Sequence, residues 1–142
     1  MEIRLMKIDD YDMVYSLWTS DKNVGLRSLD DSKEGIQKFL MRNPLTCFVS
    51  VDNDKINGSI LAGHDGRRGY IYHAMVRKEC RGRGIGTAMV DAACRALKNE
   101  GINKAALVVF QKNKKGNDFW QKIGFALRDD LAYRNMSLNE EN

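Results

Sequence analysis

The segment at residues 81–86, which reads Arg-Gly-Arg-Gly-Ile-Gly, constrains the fold more than any other part of the chain. The stretch before it, residues 70–76, is rich in aromatic and β-branched side chains and favours a strand. After it, apolar residues recur at helical spacing from Ile85 to Leu97, and Gly101 is placed to cap the end of that helix. A strand, a glycine-rich loop and a helix in this order predict an α/β unit with the loop at a helix N-terminus.

The same loop is predicted to bind phosphate. Backbone N–H groups at a helix N-terminus point outwards where the helix dipole favours anions, and glycines let a ligand approach the backbone closely. Four basic side chains in or beside the loop can add charged contacts to a pyrophosphate: Arg77, Lys78, Arg81 and Arg83. A dinucleotide-binding fingerprint needs a glycine or alanine at its last position. This chain has Thr87 there when the motif is counted from Gly82 and Met89 when it is counted from Gly84, and a P-loop motif is absent. A glycine turn without a ligand is the alternative at this point.

Hydrophobic periodicity along the rest of the chain predicts the element order β-α-α-β-β-β-α-β-α-β-β. Helices are expected from a cap at Asp9 to Trp18, from a cap at Ser32 to a point before Pro44, and at residues 85–97 and 115–123. The strands are predicted at residues 2–6, 46–51, 56–62, 70–76, 104–110, 125–128 and 131–138. We expect the strand at residues 104–110 to run parallel to the one at 70–76, because a helix connects them.

Composition limits the class of protein. A length of 142 residues corresponds to one domain, residues 1–142, and 43% hydrophobic with 30% charged residues excludes a disordered chain. The net charge of +4 could suit a nucleic acid, but no nucleic-acid motif supports such a partner, and a mildly basic surface explains the charge. Three widely spaced cysteines predict neither a disulfide framework nor a zinc site. With no signal-peptide or membrane-spanning pattern, we expect a cytoplasmic protein.

Two motifs in order resemble those of the GNAT superfamily of acyl-CoA N-acyltransferases. Arg81, Gly84 and Gly86 fit its R/Q-x-x-G-x-G/A element. Its next element, N-x-x-A-x-x-L-Y-x-K-x-G-F, is matched at five positions, with Gly116 in place of the alanine: Asn113, Phe119, Lys122, Gly124 and Phe125. The element order resembles the GNAT mixed sheet over nearly the whole chain.

The resemblance implies direct transfer of an acetyl group from acetyl-CoA to a primary amine of a small molecule or protein, with no metal. The fourth and fifth strands would splay apart, and Met75 and Val76 would pair with the pantetheine arm. It assigns Asn113 to the arm or the nucleotide. Seven residues would hold the pyrophosphate: Arg81, Gly82, Arg83, Gly84, Ile85, Gly86 and Thr87. Family members often form homodimers, and the acceptor wall commonly comes from the first two helices and their link, here residues 21–31.

The chain departs from the family pattern where catalysis is concerned. Trp120 stands where the family usually has the tyrosine proposed to protonate coenzyme A, and an indole N–H is not a practical acid. Val108 and Tyr70 occupy positions where other branches carry a glutamate base. These departures favour, as an alternative to an enzyme, a non-catalytic acyl-CoA-binding or regulatory module.

Replacement catalytic groups are predicted from strand alternation. Tyr70, Tyr72 and Ala74 should share one face, opposite Ile71, His73 and Met75. We therefore expect Tyr70 and Tyr72 to be the catalytic residues, with Tyr133 as a further acid, although cross-strand packing is the alternative for each tyrosine. His73 is the histidine nearest the loop in sequence, but lone histidines on strands are mostly structural. Cys80 is expected to pack rather than act as a nucleophile.

Overall fold

A computed structural model describes residues 1–142 and contains one five-stranded sheet in the order β1-β2-β3-β4-β5. The strands are β1 (Glu2–Leu5), β2 (Phe48–Asp52), β3 (Lys55–His64), β4 (Gly69–Val76) and β5 (Ala105–Ala106). Neighbours from β1 to β4 are antiparallel, and β5 is parallel to β4, as predicted. The helices are α1 (Tyr11–Thr19), α2 (Lys33–Arg42), α3 (Ile85–Asn99) and α4 (Lys114–Lys122). None of them is long and apolar enough to cross a membrane.

The helices cover both faces of the sheet because each presents one apolar side. Helices α1 and α2 bury Trp18, Leu17 and Ile36 in one core cluster. Helix α3 buries Met89 and Ala93 in a second cluster on the opposite face, and α4 packs against its margin. The largest fully buried side chain, Trp18, donates its indole N–H to the Ser59 hydroxyl at 2.9 Å, so the polar end of this ring is satisfied inside the core.

A β-bulge interrupts β4 at His73. Residue Ser59 of β3 pairs with Met75, whereas Leu61 pairs with Tyr72, so β4 holds one extra residue between the two pairs. His73 takes the left-handed conformation there, with φ of 48°. The predicted alternation along β4 is therefore wrong beyond Tyr72.

The extra residue changes which face each side chain occupies. His73 joins Tyr72 on the α1/α2 face, where its ring contacts Trp18. Ala74 lies on the face covered by α3, and Met75, predicted on the same face as Ile71, lies instead in the α1/α2 core. Tyr72 and His73, predicted on opposite faces, are thus brought to the same face by the bulge.

Strands β4 and β5 diverge after two residue pairs. Gly69 pairs with Ala105 and Tyr70 with Ala106, and the rest of β4 has no neighbour on that side. The predicted splay is confirmed. The strand predicted at residues 104–110 is too long, because residues 107–110 are not part of the sheet. Val108 and Phe110 in this segment are 58% and 50% exposed.

The two strands predicted at 125–128 and 131–138 are not formed. Their large apolar side chains are exposed and have no neighbouring strand, and Arg128 pairs with Asp130 inside the expected turn. Hydrogen bonds instead attach the end of the chain to the α1–α2 link: the Ser28 hydroxyl donates to the Glu141 carbonyl at 2.6 Å. The predicted element order is correct from β1 through α4. The prediction of two further strands is wrong, because alternating apolar residues form a strand only where a neighbouring strand can pair with them.

Replacing Trp18 by Phe should destabilise the protein by about 1–3 kcal/mol, because a buried hydroxyl loses its donor. Urea unfolding would measure the change. Trp120→Phe is the matched control, since the Trp120 indole N–H makes no hydrogen bond within the protein. Equal losses in the two variants would show that the bond between Trp18 and Ser59 contributes nothing.

Candidate active site

The loop after β4 borders open space. A short 3-10 turn, Lys78–Cys80, leads into residues 81–84, and Gly82 and Gly84 adopt φ values of 81° and 80°. These left-handed conformations favour glycine. A Cβ atom at either position would meet no atom within 4 Å, so both residues border open space.

Backbone donors are concentrated at this loop. The N–H groups of residues 82–87 make no hydrogen bond within the protein, and they lead into the 15-residue helix α3. Six successive free donors at a helix N-terminus form a cradle for an anion. The geometry therefore suits a pyrophosphate, with Ile85 and Thr87 supplying N–H groups alongside the glycines.

Gly86 has a different part in the site. A Cβ there would lie 3.2 Å from the ring of Phe119 in α4, tighter than ordinary van der Waals contact. Glycine at this position allows α4 to approach α3 closely. The Phe119 ring of α4 thereby packs against the first turn of α3.

Two of the predicted phosphate-binding arginines are engaged elsewhere. Arg81 donates its Nε to the Val76 carbonyl at 2.9 Å and its Nη2 to Asp21, also at 2.9 Å. Arg77 donates to the Ile56 carbonyl at 3.2 Å. Arg83, by contrast, makes no side-chain hydrogen bond or ion pair within the protein, so its charge remains free beside the cradle.

Asn113 caps α4. Its Oδ1 accepts the Gly116 N–H at 3.0 Å, which satisfies one of the free donors at the start of the helix. Its Nδ2 has no acceptor within the protein and is the group left to meet a ligand. Gly116 fits here because a Cβ would lie 2.5 Å from that Nδ2.

The candidate tyrosines form an aromatic group on the α1/α2 face. The ring centroids of Tyr70 and Tyr72 are 4.7 Å apart, and Phe39 of α2 meets Tyr72 edge-on at 5.8 Å. Tyr133 lies close to both, although on an irregular segment rather than the predicted strand. Burial raises the pKa of Tyr70 and Tyr72, and the neighbouring Tyr133 raises it further. Both phenols therefore stay protonated at neutral pH, which suits an acid and not a base.

Other reactive residue types are committed to packing. Trp120 contacts Phe119 and Phe125 edge-on, with ring centroids 5.1 Å away in each case. Cys80 packs at the margin of the α3-side core. Burial raises the pKa of the Cys47 thiol to about 12, so it is not a nucleophile. No three side chains from His, Cys, Asp or Glu are placed to hold a metal ion.

A contact between the side chains of His73 and Asp31 was not predicted from the sequence. The Nε2 atom of His73 lies 2.7 Å from Oδ1 of Asp31, across 42 positions of sequence. No local pattern connects these residues, because the bulge that turns His73 towards Asp31 has no marker in the sequence. The link at residues 21–31 contacts β4 and its loop at both ends, since Asp21 pairs with Arg81 and Asp31 with His73.

Comparisons with known proteins agree with this architecture. Residues 11–125 match the model of the acetyltransferase (GNAT) family. A curated acetyltransferase of Pectobacterium atrosepticum is 32% identical over 132 residues, covering 93% of this chain and 92% of that one. A predicted acetyltransferase of Clostridium acetobutylicum, solved with acetyl-CoA, has a TM-score of 0.76 at 22% identity and covers 94% and 95%. The PaiA N-acetyltransferase of Thermoplasma acidophilum, in complex with coenzyme A, has a TM-score of 0.79 at 19% identity and covers 90% and 91%.

The chain belongs to the GNAT family of acetyltransferases. The predicted fold class, the enzyme class of N-acetyltransferase and acetyl-CoA as the cosubstrate are confirmed. The open cradle at residues 82–87 fits the cosubstrate, because its free donors are those that a pyrophosphate needs.

Gly84→Asp should weaken acetyl-CoA binding at least about tenfold, equivalent to about 1.4 kcal/mol, because it places a negative side chain in the cradle. Isothermal titration would measure the affinity. Gly66→Asp is the matched control: Gly66 also has a positive φ, 89°, and open space at its Cβ, but lies in the exposed β3–β4 turn. Similar affinities of both variants would argue against a phosphate site at the loop.

Proposed function

We propose that this protein, as one domain over residues 1–142, transfers the acetyl group of acetyl-CoA directly to a primary amine of a small molecule or protein. The observation that carries the proposal is the row of free N–H groups at residues 82–87, placed where β4 and β5 diverge. A cleft between two strands with an anion cradle at its end suits a ligand that has an extended arm and a pyrophosphate. A cytoplasmic location and a homodimer remain predictions from the sequence.

We place the pyrophosphate on the backbone of residues 82–87, with the free guanidinium of Arg83 as its charged contact. The pantetheine arm would lie along the unpaired edge of β4, near Met75 and Val76, as an added strand. The Val76 carbonyl is already taken by Arg81, so Arg81 serves to shape this edge. The free Nδ2 of Asn113 approaches the same ligand from the start of α4.

Transfer requires one bond to form and one to break. The nitrogen of the neutral amine forms a bond to the thioester carbonyl carbon, the carbon–sulfur bond breaks, the nitrogen loses one proton, and the thiolate takes up one proton. We assign Tyr70 and Tyr72 to this last step, since their phenols carry a proton at neutral pH and neither hydroxyl has a hydrogen-bond partner within the protein. With these two acids on β4, the chain does not need an acid at Trp120.

The surroundings of the tyrosines favour a cationic acceptor. Tyr72 is 45% exposed beside Phe39, and the Asp30 carboxylate is near enough to raise the pKa of Tyr72. Aromatic faces and a nearby carboxylate both attract an ammonium group. We therefore expect the amine to enter from the α1/α2 side of the sheet, past the link at residues 21–31.

A panel of alkylamines and lysine-containing peptides should release free coenzyme A thiol when mixed with acetyl-CoA and the protein. Changing both Tyr70 and Tyr72 to Phe should lower kcat about 100-fold, because the thiolate loses its proton donors, while acetyl-CoA affinity is unchanged. Tyr15→Phe is the control, since this tyrosine lies on α1 and its hydroxyl also makes no hydrogen bond. Acetyl-CoA binding without turnover of any amine would instead support a non-catalytic acyl-CoA-binding module.

A further inference from the structure

A buried His–Asp pair lies beside the unpaired edge of β4. The side chains of His73 and Asp31 are 13% and 7% exposed, and their 2.7 Å contact connects the β4 bulge to the α1–α2 link. An Asp and a His in hydrogen-bond contact form the pair that orients an imidazole for proton transfer. The chain has only one other histidine, His64, which pairs with Glu100 at the far end of β3.

The contacts of Asp31 determine which ring nitrogen carries the proton. Its Oδ2 accepts the Arg27 N–H at 2.7 Å, and its backbone carbonyl accepts the Tyr11 hydroxyl at 2.6 Å. An ionised carboxylate only accepts hydrogen bonds, so Oδ1 requires a donor from His73. The neutral ring therefore has its hydrogen on Nε2 and a free lone pair on Nδ1.

The ring itself is held in position. Its centroid is 4.8 Å from that of Trp18 in an edge-on contact, and Trp18 is held by Ser59. The backbone of His73 adopts a φ of 48°, an unusual conformation for a residue other than glycine. Residues held in such conformations occur often at functional sites, where the surrounding contacts maintain them.

The free nitrogen is not completely enclosed by the protein. Nδ1 has no hydrogen-bond partner within the protein, and the only buried side-chain polar atoms without one are Ser50 Oγ and Asn57 Oδ1. Nδ1 is therefore not buried. His73 lies on the part of β4 that has no β5 neighbour, next to Tyr72 and three positions before Val76. An amine that enters the cleft from the α1/α2 side reaches this stretch of the strand.

We propose that His73 is the general base of the reaction and that Asp31 is its positioning residue. Nδ1 of His73 takes one proton from the acceptor ammonium, and the resulting neutral amine attacks the thioester carbon. The imidazolium, stabilised by the Asp31 carboxylate, returns its proton to solvent after coenzyme A leaves. This inference depends on the proposed amine acetylation, and it supplies the base for which Val108 and Tyr70 provide no carboxylate.

Few other ionisable groups act on the ring. Asp31 contacts it from the α1–α2 link, and Tyr72 lies next to it on β4 with ring centroids 6.4 Å apart. The nearest side chains of α1 and β3, Trp18 and Ser59, do not ionise at neutral pH. The Asp31 carboxylate is therefore the main charge that faces His73, and removing it should change the pH profile of the reaction.

The kinetic test compares two acceptors with different protonation at pH 7, phenylethylamine as an ammonium and aniline as a neutral amine. His73→Gln keeps a donor for Asp31 but cannot take a proton, so kcat/KM should fall about 100-fold for phenylethylamine and stay within about twofold for aniline. His64→Gln, the matched control, should leave both unchanged. In Asp31→Asn, the acid limb of the kcat/KM profile for phenylethylamine should shift relative to the wild type.

Equal losses for both amines in His73→Gln, or no loss, would overturn the role of His73 while leaving amine acetylation intact. Wild-type protein that acetylates neither amine, nor any amine of the panel, would overturn the proposed function itself. Imidazole nitrogen NMR provides a readout without turnover, and the two histidines are assigned with His64→Gln. A proton on Nε2 of His73 at pH 8 is expected, and a proton on Nδ1 would refute the geometry.

Discussion

The bulge at His73 is the feature on which the site depends. One extra residue between the pairs formed by Ser59 and Leu61 turns Tyr72 and His73 to the same face of the sheet. A regular strand would direct His73 into the α3 side, away from Asp31. Bulges also bend the strand that carries them, and in this sheet β5 pairs with β4 only before the bulge. One local irregularity thus accompanies both the open cleft and the grouping of the proton-transfer side chains.

The α1–α2 link is attached to β4 and its loop at two points of different strength. Asp21 pairs with Arg81 where the arginine side chain is 44% exposed, and such a pair contributes about 0–1 kcal/mol. Asp31 is buried and contacts His73, and it accepts two further hydrogen bonds, from the Tyr11 hydroxyl and the Arg27 N–H. The attachment beside the glycine-rich loop is therefore easily rearranged, whereas the attachment at the β4 bulge is held more tightly. This difference suits a site that must admit a large cosubstrate and still orient a base.

The features that could be predicted from sequence are those with local causes. The glycines at residues 81–86 and the change from strand to helix period predicted the positions of the strand, the loop and the helix start, because backbone conformation there depends on neighbouring residues. Three features depend on distant parts of the chain: the bulge, the Asp31 contact and the anchoring of Arg81. The segments at residues 125–128 and 131–138 show the opposite case. Their sequence alternates as a strand does, but no neighbouring strand pairs with them and their apolar side chains are exposed.

The substitution of tryptophan for the usual tyrosine in α4 is consistent with catalysis once the whole site is considered. Trp120 packs between Phe119 and Phe125, and Phe119 in turn contacts Gly86, so this aromatic group holds α4 against the start of α3. The acid and the base that we propose lie together on β4, where the phenols of Tyr70 and Tyr72 are on the same side of the sheet as His73. Placing proton donor and acceptor on one strand fixes their separation through the backbone. Helix α4 then contributes packing through Phe119 and Trp120, and its indole N–H need not give up a proton.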